Sequence, residues 1–353
     1  MTRTTETANA EASSSRLSLY EGSTQYRYWR YSPEQLANAR ATMNAAAVSA
    51  IRNAFEANSA RSSSEVSFLE ADEENLLVKL YVGKIPQLCA HFRFPEEVEA
   101  TAMTYLKRFY LKNTVMDWHP KNVMLTALFL ATKTTNHPIS LESYTAHIPK
   151  TAPADVLDLE FLVAQSLGFD FAVWHPHRAL WGLWLDVQQT LPDVSIQELR
   201  DAYEKALDHV RASRLTDAEF IYTPSQIALA CLSLASPSLA SSWARSKFPN
   251  VQSPPVLAVL DPIKVIILSC GSSPDVEAVR EVDRRLKLCK NPEKVVGSKA
   301  YLRKQEEAER KAEEKRKRKA DEARKAMEDE DPFGSELAGK AGAARLDEDD
   351  EDD

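Results

Sequence analysis

The chain has 353 residues, with 44 Lys and Arg against 52 Asp and Glu for a net charge of −8, and 44% of its residues are hydrophobic. It holds nine glycines, where a chain of this length averages about 25; loops that cradle phosphates or dinucleotides need glycine where backbone meets ligand, so such enzymes are disfavoured and a helical protein is favoured. The four cysteines, Cys89, Cys231, Cys270 and Cys289, form no CxxC pair, which speaks against a zinc framework or disulfide scaffold and fits a reducing compartment. The first twenty residues are polar, and the most apolar stretch, Val256 to Cys270, is interrupted by Asp261, Pro262 and Lys264. Neither suits a secretory signal or a membrane span, and the expectation is a soluble protein of about two domains.

Residues 1–31 read as a mostly flexible lead with an aromatic end, Tyr26, Tyr28, Trp29 and Tyr31. Ser32-Pro33-Glu34-Gln35 then opens a helix. The serine caps, the proline takes the first helical position with φ preset, and the glutamine reaches back to the cap. The Ser-Pro pair is also a possible phosphorylation site. An alanine-rich run carries the helix to about Ala57, and a linker follows to residue 70. From Asp72 onward, helical patterns of 10–20 residues alternate with short breaks. One starts at Phe94-Pro95-Glu96-Glu97 and runs to about Lys112, and another starts at His119-Pro120 and ends near Asn136. Ser140 caps a short helix, and a further one follows Pro153 and ends at Gly168. No string of alternating Val, Ile and Thr predicts a sheet.

The strongest signal is internal. The segment His119-Pro-Lys-Asn-Val-Met-Leu-Thr-Ala-Leu-Phe-Leu-Ala131 aligns with Thr223-Pro-Ser-Gln-Ile-Ala-Leu-Ala-Cys-Leu-Ser-Leu-Ala235 at an offset of 104 residues. The same offset places Leu159–Val163 on Ile263–Ile267, Ala102 on Ala206, Leu106 on Val210 and Lys107 on Arg211. One offset serving three helices points to a duplicated domain of roughly a hundred residues. In both copies the proline-started helix is apolar nearly all round, so each copy is a central helix wrapped by about four others.

Enzyme constellations are missing from the sequence: it contains no GxGxxG, P-loop, HExxH or G-x-S-x-G. His175-Pro176-His177 reads as a helix entry rather than a metal half-site, and Cys89 and His91, two apart on a helix, diverge too far to act as nucleophile and base. The basic run Lys315-Arg-Lys-Arg-Lys319 is either an import signal or a solvated helix face, and the wholly acidic run from Asp347 to Asp353 speaks against nucleic acid as a partner. There remains an asymmetry between the copies. Lys133, at the end of the central helix of the first copy, corresponds to Pro237, and Glu160 corresponds to Lys264. A charge pair present in one copy alone marks a candidate site. The plainer reading is that the lysine complements the helix dipole and the glutamate faces water.

Two five-helix repeats with this Lys and Glu, together with Met103-Thr-Tyr-Leu-Lys-Arg-Phe-Tyr-Leu111, Val115-Met-Asp-Trp-His-Pro120 and Tyr222-Thr-Pro-Ser-Gln-Ile-Ala-Leu229, resemble the cyclin family, and within it the H-type cyclins. The similarity runs from about Tyr26 to Cys289. It implies an all-α fold of two tandem cyclin-box repeats, 71–172 and 173–272, behind an N-terminal helix and linker at 32–70. A C-terminal helix at 273–292 and a charged, partly disordered tail at 293–353 complete it. The implied activity is that of a non-catalytic nuclear subunit. It would activate a cyclin-dependent kinase of the CDK-activating and TFIIH class, which phosphorylates kinase activation loops and the RNA polymerase II C-terminal domain. A RING-finger assembly subunit is the further partner, with no cofactor, metal or catalytic residue, and with no direct contact to nucleic acid or membrane. Lys133, Glu160, Phe169 and Phe171 match the family's kinase-binding positions. Thr134-Thr135-Asn136 follows the lysine where many cyclins carry acidic residues, and Asn75-Leu-Leu-Val-Lys-Leu80 lacks the Met-Arg start of the substrate-docking patch of cell-cycle cyclins. Arg16-Leu-Ser-Leu19 fits the loose RxxL pattern, which is too common to carry weight. The alternatives are a C-type cyclin of a Mediator-type kinase and a TFIIB-type DNA-binding factor. The second of these would begin with a Cys/His zinc ribbon, whereas no cysteine here precedes Cys89.

Overall fold

The computed structural model describes residues 18–57, 64, 66–248 and 257–329, and among them there is no strand. Arg16 and the acidic run 347–353 lie outside the described residues. The chain divides into two units, Met1–Lys294 and Val295–Asp353.

In the first unit, α1 (Thr24–Tyr28) and α2 (Pro33–Glu56) precede the first repeat. Ser32 caps α2 as its sequence dictates: the Gln35 amide donates to Ser32 Oγ (3.2 Å) and the Ser32 amide donates to Gln35 Oε1 (2.8 Å). The first repeat comprises α3 (Ala71–Val82), α4 (Ile85–Phe92), α5 (Glu96–Phe109), α6 (Pro120–Thr134), α7 (Leu141–Ala146), α8 (Pro153–Leu157) and α9 (Glu160–Ser166). Its first and fifth helices are therefore each broken in two. The first break falls at Gly83-Lys84, just before Pro86, whose missing N–H is harmless only in a first helical turn. The helix expected from Pro153 to Gly168 is broken by Asp158 and Leu159, so Glu160 stands at the start of a new helix.

The second repeat comprises α10 (Pro176–Thr190), α11 (Ile196–Ser213), α12 (Ala218–Ile221), α13 (Pro224–Ala235), α14 (Pro237–Lys247) and α15 (Asp261–Cys270). Pro237 ends the central helix three residues earlier than its counterpart α6 and opens α14 in its place. The 104-residue offset holds in three dimensions. Ala102 and Ala206, Leu106 and Val210, Val123 and Ile227, and Val163 and Ile267 are all buried, each pair at equivalent depth in its own core. Burying one such aliphatic side chain contributes about 1.5–3 kcal/mol. The two cores are separate. The first recruits Ala47 and Ile51 from α2, and Val279, Val282, Leu286 and Cys289 from α16 (Val276–Cys289).

Charged side chains join the repeats. Lys107 of α5 is buried, donating to the carbonyls of Arg214 (2.9 Å) and Thr216 (2.8 Å) and pairing with Glu219 (2.6 Å). Its counterpart Arg211 reaches back to Glu96 (3.2 Å) from a half-exposed position. Arg214 holds Glu96 (2.6 Å) and Glu99 (2.9 Å), and Arg40 of α2 pairs with Asp217 (2.7 Å).

Residues 18–31, expected to be a loose lead, are a folded brace over this joint. Trp29 is buried with Leu36, Leu111 and Phe220, and its indole donates to Asp170 Oδ2 (3.2 Å). Arg108 and Lys112 lie over its ring, at 4.7 and 4.6 Å from the centroid. Gln25 exchanges hydrogen bonds with both the N–H and the C=O of Trp174. The aromatic residues of the segment alternate with polar ones and form no helical stripe, which is why the sequence pattern does not reveal this docking.

The second unit contains α17 (Lys299–Asp329), exposed throughout residues 302–325. No helix among the described residues is long and apolar enough to cross a membrane.

Candidate partner-binding site

Lys133 lies in the last turn of α6 and Glu160 is the first residue of α9. The structure brings them together: Lys133 Nζ donates to Glu160 Oε1 in an ion pair, and the ammonium also lies 4.7 Å from the centroid of the buried Phe129 ring. The lysine side chain is 43% exposed and the glutamate 18%, so the pair contributes only about 0.2–1 kcal/mol to folding and both groups can turn to an incoming partner at small cost. Thr134, which is exposed, and the half-buried Thr135 fold back onto their own helix. Their hydroxyls donate to the carbonyls of Leu130 (3.1 Å) and Ala131 (2.7 Å), closing the end of α6.

An aromatic row flanks the pair. Phe161, next to Glu160, is 59% exposed and lies 6.3 Å from Phe169, which is 55% exposed; Phe169 lies 6.1 Å from the half-buried Phe171, and Phe171 lies 6.2 Å from the buried Tyr105. Leu157 adds a further exposed apolar side chain at the end of α8. The row is held in place from below. The Tyr105 hydroxyl donates to the Phe171 carbonyl (2.7 Å) and meets Thr134 Oγ1 (3.0 Å), tying the aromatic turn to the residue beside Lys133. Burial outweighs that hydrogen bond and pushes the Tyr105 phenol up to about 12, so it stays a neutral donor.

The turn that presents Phe169 is left-handed at two successive residues, Gly168 (φ +62°) and Phe169 (φ +58°). Glycine adopts this freely, whereas a phenylalanine there is strained, and the surroundings must hold it. They do so through Gly168 N–H to Gln165 O (2.9 Å), Phe169 N–H to Ala164 O (3.0 Å), and Arg108 and Trp29 on Asp170.

All four residues singled out from the sequence, Lys133, Glu160, Phe169 and Phe171, thus fall on one face of the first repeat. Phe161 and Leu157 were missed. No local sequence signal marks Phe161, since its counterpart Val265 is equally apolar; the structure shows both more than half exposed. In the second repeat the arrangement is absent: Pro237 replaces the lysine, and Lys264 pairs with Asp261 one turn away (3.1 Å).

The other chemistry-bearing residues serve the fold. His175 is buried against Thr101 Oγ1 (2.9 Å), and burial holds its pKa well below the ordinary histidine value. His177 meets Glu97 (3.2 Å). Cys89 is buried, and that burial pushes its thiol up to about 12, which leaves no thiolate for nucleophilic attack. Among the described residues no group of three or more His, Cys, Asp or Glu could hold a metal ion. The candidate site offers one donor-only cation, one acceptor-only carboxylate and an apolar platform.

Comparisons with known proteins identify the family of the chain. Residues 55–172 match the family described as "Cyclin, N-terminal domain", and residues 175–272 match "Cyclin C-terminal domain". Cyclin mcs2 of Schizosaccharomyces pombe is 31% identical over 297 residues, covering 82% of this chain and 91% of that protein. Cyclin-H of Xenopus laevis is 33% identical over 229 residues, covering 62% of this chain and 69% of that protein. A chain from the CAK complex of Chaetomium thermophilum bound to ATP-γ-S superposes with a TM-score of 0.73 at 31% identity, covering 83% of this chain and 95% of that one. One from the yeast TFIIK (Kin28/Ccl1/Tfb3) complex superposes with a TM-score of 0.60 at 33% identity, covering 70% of this chain and 100% of that one. The chain belongs to the cyclin family, and its relatives include cyclins of the H type.

Proposed function

We propose that this chain is the regulatory, non-catalytic subunit of a cyclin-dependent kinase of the CDK-activating and TFIIH class, acting in the nucleus. The observation that carries the reading is the Lys133–Glu160 pair beside the exposed Phe161 and Phe169, built on the first repeat and not on its twin. Membership of complexes entitled CAK and TFIIK by the similar solved chains supports it. The presence of Tfb3 beside Kin28 and Ccl1 in the yeast complex supports a third partner here, for which a RING-finger assembly subunit is our candidate.

The groups present support one mechanism. A helix start carries free N–H groups and the preceding chain carries free carbonyls. Glu160 accepts from the first and Lys133 donates to the second, so the pair recognises the backbone at the beginning of the kinase's mobile αC helix, while Phe161, Phe169 and Phe171 take its apolar side chains. In a lone kinase that helix swings out and the Lys–Glu ion pair over the ATP phosphates is unmade. A subunit that binds only the inward state shifts the equilibrium by its differential affinity; moving it from 1:99 to 99:1 takes about 5.5 kcal/mol.

The test is affinity purification of the tagged chain from native extract with identification of the co-purifying proteins. A cyclin-dependent kinase is expected from the wild type and is expected to be lost from Lys133→Glu. Recovery of no protein kinase, or undiminished recovery by the variant, would overturn the assignment.

A further inference from the structure

The unit beyond Lys294 has a property that the cyclin fold does not account for. Helix α17 spans 31 residues, yet its side chains from 302 to 325 are exposed without exception. Most helices of globular proteins hold their shape by burying an apolar stripe, and an isolated helix persists in water only when it is longer than about 12–15 residues and its sequence is favourable. This one is. Residues 299–329 contain no glycine, proline, valine, isoleucine or threonine and consist largely of Ala, Glu, Lys, Arg and Gln, the strongest helix formers. Charges are spaced to meet along the surface: Glu307 with Lys311 (2.7 Å), Glu313 with Lys317 (2.7 Å), Arg318 with Glu322 (3.4 Å) and Arg310 with Glu314 (3.8 Å). Each pair is four residues apart, and two of them run Glu before Lys, the better orientation. The start is fixed as well. Gly297 turns the chain at φ +82°, and Ser298 Oγ accepts from the Tyr301 amide (3.0 Å). The run Lys315–Lys319 takes part in this ladder, since Lys317 and Arg318 each hold a glutamate one turn away.

We propose that α17, whose Ala300 is buried and Tyr301 half-buried at its start, is self-supporting from Leu302 to Lys325, stable there without any packing partner, and serves as a rigid spacer. At 1.5 Å per residue its own ends are held about 46 Å apart. The sequence C-terminal to the helix has a distinctive composition. Residues 330–353 carry ten Asp and Glu against two Lys and Arg, which equals the entire net charge of the chain. The spacer would therefore hold residue 329, after which this acidic sequence begins, at a fixed distance from Lys299, where a flexible linker of equal length would not. The inference goes beyond kinase binding and does not depend on it.

The test is pulsed-dipolar distance measurement on the full chain, spin-labelled at Leu302→Cys and Lys325→Cys with the exposed Cys270 replaced by serine; Cys89, Cys231 and Cys289 are buried. A helix places the labelled positions about 35 Å apart with a narrow distribution, whereas a flexible coil of 23 residues gives a broad one near 24–29 Å. Glu307→Lys with Glu313→Lys sets like charges against Lys311 and Lys317 and is expected to broaden the distribution, and restoring the pairs in reverse with Lys311→Glu and Lys317→Glu is expected to narrow it again. A broad distribution in the unaltered helix would overturn the proposal. So would a dipolar signal from chain labelled only at 325, which would mean that the helix is held by a second copy.

Discussion

The two repeats are alike inside and different outside. At the positions that face each core, the offset of 104 residues pairs alanine with alanine and leucine with valine, all buried. At the surface the same offset pairs Lys133 with a helix-breaking proline and Glu160 with a lysine. Packing constrains the interior of both copies equally, because either core loses stability if its volume changes. It places no such demand on a half-exposed ion pair worth about 0.2–1 kcal/mol. A difference that stability does not require is therefore where a function acquired by one copy shows itself.

The sharpest way to break this comparison lies at the joint. Lys107 and Arg211 are equivalent by sequence, but only Lys107 is buried with its carboxylate and two carbonyls. Lys107→Ala should cost about 3–5 kcal/mol by leaving Glu219 without its cation, whereas Arg211→Ala should cost less than about 1 kcal/mol, both read by urea denaturation. Equal losses would mean that the repeats meet differently. The second test sets Lys133→Glu against Lys264→Glu in titrations with the purified kinase. The first should weaken binding by about 30- to 100-fold, or about 2–2.7 kcal/mol, and the second by less than twofold; comparable losses would erase the distinction. Phe161→Ala sharpens the same contrast. It should weaken kinase binding by about 5- to 30-fold, as removal of an aromatic anchor does, and Val265→Ala should leave it unchanged.

The smallest expected effect is pH-dependent and again lies at the joint. Burial holds His175 well below the usual histidine value and so keeps it neutral, while the unfolded chain takes up the proton from about pH 6.5 downward. Its contribution is thus present above that pH and is lost as the pH falls towards the folded value, at no more than about 1.4 kcal/mol per pH unit. Glu97 adds to the loss at lower pH. Burial pushes it up, but His177, with His175 and Arg178, holds it down at about 2, so its contribution is present above about pH 4.5 and is lost towards pH 2. Denaturation curves of His175→Gln should be flatter between pH 6.5 and 5 than those of the wild type. An unchanged slope would remove His175 from the account.

The architecture was legible because it is written in periodicity. Pro120 and Pro224 open the two central helices as read; the apolar run Val123–Ala131 is buried all round, and Ile227–Ala235 is buried except for the partly exposed Leu229, Leu234 and Ala235. The candidate site was legible only in part. Lys133 and Glu160 stand out through the broken symmetry, but Phe161 is an ordinary apolar residue in a helical pattern and nothing local says that it faces outward. The break before Glu160 was invisible for a similar reason, since Asp158 and Leu159 are compatible with an unbroken helix and only the packing of α8 and α9 separates them. Trp29 was misread because its partners, Asp170 and Phe220, are far away in the chain.

Trp29 also gives the molecule an optical handle. Its indole is bonded to Asp170 in the turn that presents Phe169, and two cations lie against its ring. Whatever rearranges that turn alters the environment of a buried fluorophore bonded to it. Emission from Trp29 alone, with the remaining tryptophans replaced by phenylalanine, would follow occupation of the patch in real time without an attached dye.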